Sequence, residues 1–192
     1  MCKKLCALFI SLILLTLSAC SNATSGVIES DSAYRSVKST SGTTAEGNYT
    51  IELGEGSDSG VIRKTLSFGL TEEDGTHYAF SIIKNTSDNK ISYQMMIAAG
   101  STSAIAEETY SSYSVVSTAD KKTDFALSDI SISSDSKPDS SGYYYLCALG
   151  TLSSSDFAKM KNLTGLTVTM KGNSSVSFTV PYAFIYGLTA YL

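Results

Sequence analysis

A mainly β domain, folded as an antiparallel β-sandwich or partly open barrel with two short helices near the C-terminal end, is what this 192-residue sequence predicts. Three observations carry that expectation. Apolar and polar residues alternate at period two through much of residues 47–152, the signature of half-buried strands. Turn signals such as Asp74-Gly75 separate about nine such runs at spacings of roughly 8 to 15 residues. The periodicity changes to that of a helix twice, both times late in the chain.

The elements follow in order. In GNYTIEL, Tyr49, Ile51 and Leu53 share one face while Thr50 and Glu52 take the other. Ile62, Leu66, Phe68 and Leu70 repeat the pattern, with Arg63, Thr65 and Ser67 expected to face outward. Asp74-Gly75 then marks a hairpin leading to Tyr78, Phe80 and Ile82. Residues 85–90 make the next connection, before Ile91, Tyr93, Met95 and Ile97. A polar strand is expected near residues 110–117. Another begins at Phe125 and Leu127, and its alternation slips before Ile130 and Ile132, which predicts a bulge. YYYLCAL, at 143–149, is apolar on both faces, as in a strand inside a sheet that is covered on each side.

In SSSDFAKMKNL the serines before Asp156 can cap a helix whose apolar face holds Phe157, Met160 and Leu163. The strands LTVTMKG and VSFTV follow, joined by Gly172-Asn173-Ser174. Pro181 then opens a last helix with Phe184, Ile185, Leu188 and Leu192 along one stripe, too short to span a bilayer.

The N-terminus has a different character. Lys3 and Lys4 precede residues 5–17, which are apolar apart from Ser11 and Thr16. This is the layout of an export signal, and it falls short of the roughly 20 apolar residues that a membrane-spanning helix needs. The run ends in Leu17-Ser18-Ala19-Cys20, which resembles the lipobox of bacterial lipoproteins. The resemblance implies that the Cys20 thiol receives a diacylglyceryl group, that the Ala19-Cys20 bond is cleaved, and that the new amino group at Cys20 is acylated. Thiolate chemistry explains why such a site requires cysteine. The expected divisions are residues 1–19 as signal peptide, 20–46 as a flexible tether with at most a brief edge strand at 33–38, and 47–192 as a single β-rich domain. Two or three acyl chains hold a protein on a membrane stably, where one gives only marginal binding.

Composition narrows the function. Loss of residues 1–19 removes Lys3 and Lys4 and no acid, leaving 12 basic against 18 acidic residues and a net charge of −6 with His77 neutral. Such a chain cannot neutralise phosphates, so nucleic acid is not an expected partner. Of the four cysteines, Cys2 and Cys6 leave with the signal and Cys20 takes lipid. Cys147 then has no intramolecular disulfide partner and reads as a small buried hydrophobe.

No constellation of catalytic or metal-binding residues emerges. His77 is the single histidine and is expected on the solvent side of its strand, opposite Tyr78 and Phe80. The motif G-x-S-x-G is missing; GSDSG at 56–60 places Asp58 where the nucleophile belongs. Acids cluster at Glu72-Glu73-Asp74 and at Glu107-Glu108. In DSKPDSSG, Asp135, Asp139 and Gly142 approach calcium-loop positions, but Lys137 takes the second ligand position and no glutamate closes the loop. A turn held by Pro138 and Gly142 is expected instead. Tyr143, Tyr144 and Tyr145 alternate between faces and so cannot form one aromatic platform.

The sequence thus points to a lipid-anchored envelope protein without a cofactor: a non-enzymatic binding or structural module whose partners are the membrane and another envelope protein or glycan. An envelope hydrolase with an unrecognised carboxylate site is the alternative. Ser21, rather than Asp, follows Cys20, which favours the outer membrane in a two-membrane bacterium; otherwise the anchor lies in the outer leaflet of the plasma membrane.

Overall fold

Alternation along the first half of the domain builds a meander in which each strand pairs with the next. The structure, a computed structural model, describes residues 35–192 except residue 59. Its elements are β1 (Arg35–Thr44), β2 (Gly47–Asp58), β3 (Val61–Thr71), β4 (His77–Ser87), β5 (Lys90–Ser101), a 3-10 turn (Glu107–Thr109), β6 (Ser112–Ser117), β7 (Ser128–Ser134), β8 (Tyr144–Leu152), α1 (Ser154–Met160), β9 (Leu166–Lys171), β10 (Ser175–Val180) and α2 (Tyr182–Tyr191). Two antiparallel sheets result. The larger has the order β1-β2-β3-β4-β5-β8-β7 and the smaller β10-β9-β6. Both are open, so the domain is sandwich-like rather than a closed barrel, as the alternation predicted.

Local chemistry explains the turns. Asp74 accepts a hydrogen bond from the Thr76 amide at 2.8 Å, and Gly75 takes the left-handed conformation at φ +84°. Asp88 and Asn89, at φ 48° and 62°, close a two-residue hairpin between β4 and β5, tighter than the connection expected over residues 85–90. Paired left-handed residues match the twist of the flanking strands, and Asp and Asn tolerate that conformation best after glycine. The expected bulge lies in β7, where the register shifts between Ser128 and Ser131 and Asp129 has φ 52°. Phe125 and Leu127 precede that strand instead of opening it; Phe125 is buried in the core. The Ser153 side chain caps α1 by accepting from the Asp156 amide at 3.0 Å.

The strand β1 revises the expected domain boundary. Residues 20–46 read as tether, but Arg35–Thr44 pairs with β2, so the folded part begins at least twelve residues earlier than Gly47. The brief edge strand expected at 33–38 overlaps its start; composition hid the rest, because an edge strand held by backbone hydrogen bonds needs no alternating apolar face, and polar residues there discourage pairing with other chains. Residues 20–34 lie outside the described residues.

One face of the large sheet carries the core. A row of directly paired residues crosses all seven strands as Thr40, Ile51, Phe68, Phe80, Ile97, Ala148 and Ile132. The small sheet and both helices each send an aromatic ring onto this face. Phe178 of β10 stacks with Phe68 and Tyr78 at centroid distances of 6.2 and 5.6 Å. Phe184 of α2 meets the edge of Phe80 at 5.4 Å, and Phe157 of α1 stacks on Tyr93 at 4.0 Å.

The opposite face is built differently. The adjacent row reads Ser41, Thr50, Gly69, Ala79, Ala98, Cys147 and Ser133. Small side chains thus form a shallow trough across the strands, beside a second cluster of Ala79, Ile83, Met96, Ala98, Tyr145 and Cys147. Thr65 and Ser67, expected to face solvent, are buried on this side, where Ser67 accepts a hydrogen bond from Ser81 at 3.0 Å.

Phe184 is fully buried and fixes α2 to the sheet. Phe184→Ala is expected to cost about 3–5 kcal/mol of unfolding free energy. Urea denaturation checks this, and a loss below about 1 kcal/mol would contradict the role given to the ring.

Candidate functional site

A concavity arises among the described residues because α2 covers β2 and β3 without reaching the edge of the sheet. A pocket of about 370 Å³ remains between the helix and β1. Ile51, Leu53 and Leu66 form its floor, with Ala183 and Gly187 on the helix side and Lys38 and Thr40 on the strand side. Gly187 sets how closely the helix approaches, since a Cβ there would stand 2.8 Å from Leu66 Cδ2. Tyr182 and Tyr186, 59 % and 60 % exposed, project from successive turns at the mouth. Their spacing of four places both rings on one helical face.

Lys38 gives this largely apolar hollow a positive rim. Its ammonium donates a hydrogen bond to the Tyr191 hydroxyl and lies 4.8 Å from the centre of that ring. The bond to Tyr191 raises the Lys38 pKa above its ordinary value, so the charge is held at neutral pH. A pocket that buries an apolar body and offers a few polar groups at its edge has the usual form of a small-molecule site.

The residues singled out in the sequence are scattered. Ala19 and Cys20 lie outside the described residues, as do Leu17 and Ser18. Cys147 is buried in the second cluster, as expected of a small hydrophobe. Asp139 organises its own turn, accepting from the amides of Ser141 and Tyr143 at 2.8 and 3.0 Å and from the Tyr145 hydroxyl at 3.3 Å. This is the structural role foreseen for the loop, with Gly142 left-handed at φ +87°. Tyr143 and Tyr145 do share a face, their rings stacked 6.3 Å apart.

Among the acids, Glu72 and Asp74 flank the β3–β4 turn. Glu46, in the turn between β1 and β2, accepts from the Thr179 amide and hydroxyl at 3.0 and 3.1 Å. Burial, and then the nearby Asp74 and Glu46 charges, raise the Glu72 pKa. These carboxylates occupy hairpin ends rather than the pocket, which contains none. Among the described residues no group of three or more His, Cys, Asp or Glu side chains is placed to hold a metal.

The pocket itself escaped the sequence reading because its two walls lie far apart in the chain. Lys38 and Tyr191 are 153 positions apart. The visible hint was the pair Tyr182 and Tyr186 on a helix whose other face is apolar. No family model, curated protein or solved structure matches the chain.

His77 departs from expectation in an informative way. It is half-buried rather than solvent-facing, because the Tyr143 ring lies over it at 4.5 Å, tilted by 56°. Its Nδ1 pairs with the Thr71 hydroxyl at 2.8 Å, while Nε2 is buried without a hydrogen-bond partner. Burial lowers its pKa below 6.5, against the opposing pull of Asp139 and Asp74. The folded chain therefore takes up this proton less readily than the unfolded chain. Stability from this group is complete above the unfolded value and falls as the pH drops through it toward the folded pKa. Replacing His77 with Asn, which can keep the Thr71 bond, is expected to reduce the fall in Tm between about pH 7.5 and about pH 5.5. Equal falls in the two proteins would refute the assignment.

Proposed function

We propose that this protein is a lipid-anchored bacterial envelope module that binds a ligand and performs no chemistry on it, with the tyrosine-rimmed pocket beside α2 as its binding site. The observation that carries the anchor is Leu17-Ser18-Ala19-Cys20 at the end of a thirteen-residue run, 5–17, that only Ser11 and Thr16 interrupt. The mature chain begins at Cys20, and its lipid supplies the membrane attachment. Among the described residues no helix is long and apolar enough to cross a membrane. In a two-membrane cell the anchor lies in the outer membrane, and in a one-membrane cell in the outer leaflet of the plasma membrane.

The pocket supports the binding half of this reading. Its apolar floor and tyrosine walls suit an aromatic or aliphatic body, or the apolar face of a sugar ring. Lys38 at the rim favours a ligand that also carries negative charge. The same groups would receive a side chain of another envelope protein, or part of a glycan.

Two measurements test the two halves. Cys20→Ala is expected to leave folded protein in the soluble fraction of lysed cells; a variant that still sediments with membranes after a salt wash would overturn the anchor. For the pocket, the anionic apolar dye anilinonaphthalene sulfonate serves as probe. Ala183→Trp, which fills the hollow, is expected to weaken dye binding by about tenfold or more, equivalent to about 1.4 kcal/mol. Lys38→Ala is expected to weaken it less. Unchanged affinity in both variants would remove the pocket from consideration.

A further inference from the structure

A second hollow, of about 380 Å³, shares no lining residue with the tyrosine-rimmed pocket. It sits where the start of β3, the end of β4 and the start of β5 come together beside the Asp88-Asn89 turn. The register sets Gly56, Arg63, Asn85 and Ser92 side by side across β2, β3, β4 and β5. Period-two alternation places this row on the same face of the sheet as Gly69, Ala79 and Ala98, opposite the core.

The centre of the hollow is a guanidinium held in one orientation. Arg63 donates from Nε to Asn85 Oδ1 at 3.1 Å, and Asn85 donates from Nδ2 to Gln94 Oε1 at 3.1 Å. Arginine carries donors only, so it dictates which way the Asn85 amide faces, and Asn85 dictates Gln94 in turn. Three strands thus fix one side chain. With Nε engaged by Asn85, an anion meets the two terminal nitrogens, whose spacing matches the two oxygens of a carboxylate. On the β2 side the neighbour in the row is Gly56, which has no side chain to fill the approach. The left-handed turn at Asp88-Asn89 brings Lys90 into the lining as a second positive charge.

Charge and lining chemistry define the ligand. Arg63 is half-buried, and withdrawing a cation from water is costly unless an anion accompanies it. Lys64 has Glu55 and Lys159 has Asp156, whereas among the described residues Arg63 forms no ion pair. The charges of the lining are Arg63 and Lys90 against Asp88, two positive less one negative, a net of +1. That balance suits a carboxylate better than a phosphate monoester, which carries about −1.5 to −2 at neutral pH. Ser87 and Ser92 add hydroxyls, and Val61 and the exposed Ile91 add apolar surface. Hydroxyl partners, an apolar strip and a carboxylate grip together match an acidic sugar. We propose that this hollow binds a uronic acid residue of a glycan, its carboxylate on Arg63 and Lys90 and its ring hydroxyls on Ser87 and Ser92. The assignment depends neither on the lipid anchor nor on what the tyrosine-rimmed pocket binds.

The test uses the full chain in micelles of a detergent free of sugar and phosphate, with sodium glucuronate as probe and glucose and inorganic phosphate as comparisons. Arginine occurs at positions 35 and 63, so Arg63→Lys identifies the Arg63 Nε–H signal in nitrogen-15 NMR spectra by its loss. In the unsubstituted protein that signal is expected to move as glucuronate is added, with a dissociation constant on the order of 1 mM. Glucose, which lacks the carboxylate, and phosphate, which lacks the ring, are each expected to bind about tenfold more weakly or less. Arg63→Lys keeps the charge and loses the fork, and is expected to weaken glucuronate binding by about tenfold, read from the backbone amides of Lys90 and Ser92. An Arg63 signal that stays still up to about 50 mM glucuronate overturns the proposal. So does glucose or phosphate binding as tightly as glucuronate, or an affinity for glucuronate that Arg63→Lys leaves unchanged.

Discussion

Cross-strand register in the seven-stranded sheet is the constraint on which the rest of the structure depends. Because side chains alternate with period two, one register places Phe68 beside Phe80 and Ile97, and Gly69 beside Ala79 and Ala98. A slip of one residue in any strand would send its large side chains to the small-residue face. The tight turns at Asp74-Gly75 and Asp88-Asn89 hold that register for β3, β4 and β5. The consequence is a sheet with two unlike faces, one bulky enough to seat the small sheet and both helices, the other shallow.

That asymmetry also makes the pocket. Helix α2 is anchored over the sheet by Phe184 against Phe80 and by the close approach of Gly187 to Leu66. Ten residues of helix cover β2 and β3, and β1 extends beyond them. The exposed strip between helix and edge strand is apolar because Ile51 and Leu53 follow the bulky side of the register. A longer apolar face on the helix would have closed the hollow. Tyr182 and Tyr186 leave it open, with their rings at its mouth.

Much of this architecture was legible because its causes are local. Ser153, Asp156, Phe157 and Met160 announce α1 through capping chemistry and spacing alone. The slip before Ile130 announced the bulge, and YYYLCAL announced a strand covered on both sides, which β8 is. What stayed hidden depends on partners distant in the chain. β1 is largely polar and held by backbone hydrogen bonds, so patterning suggested only a brief edge strand at 33–38 and missed its extent to Thr44. Thr65 and Ser67 looked solvent-facing because alternation identifies two faces but does not say whether the polar one is covered. His77 appeared exposed for the same reason, since the Tyr143 ring that buries it arrives from a distant turn. The resemblance to a lipobox could be read because it lies in four consecutive positions, whereas Lys38 gains its place at the pocket rim only beside Tyr191.

Strand β1 has a mechanical consequence. It is the first strand among the described residues and lies at an edge of the large sheet, and it contributes Lys38 and Thr40 to one wall of the pocket. Under the proposed lipid anchor, tension on the N-terminal side would reach this strand before the other described strands. Pulled away from the sheet, an edge strand unzips one hydrogen bond after another instead of resisting as a block. Released, its ten residues would lengthen the mooring by about 33 Å and dismantle the Lys38 side of the pocket. Reach and grip would then trade against each other through a single strand.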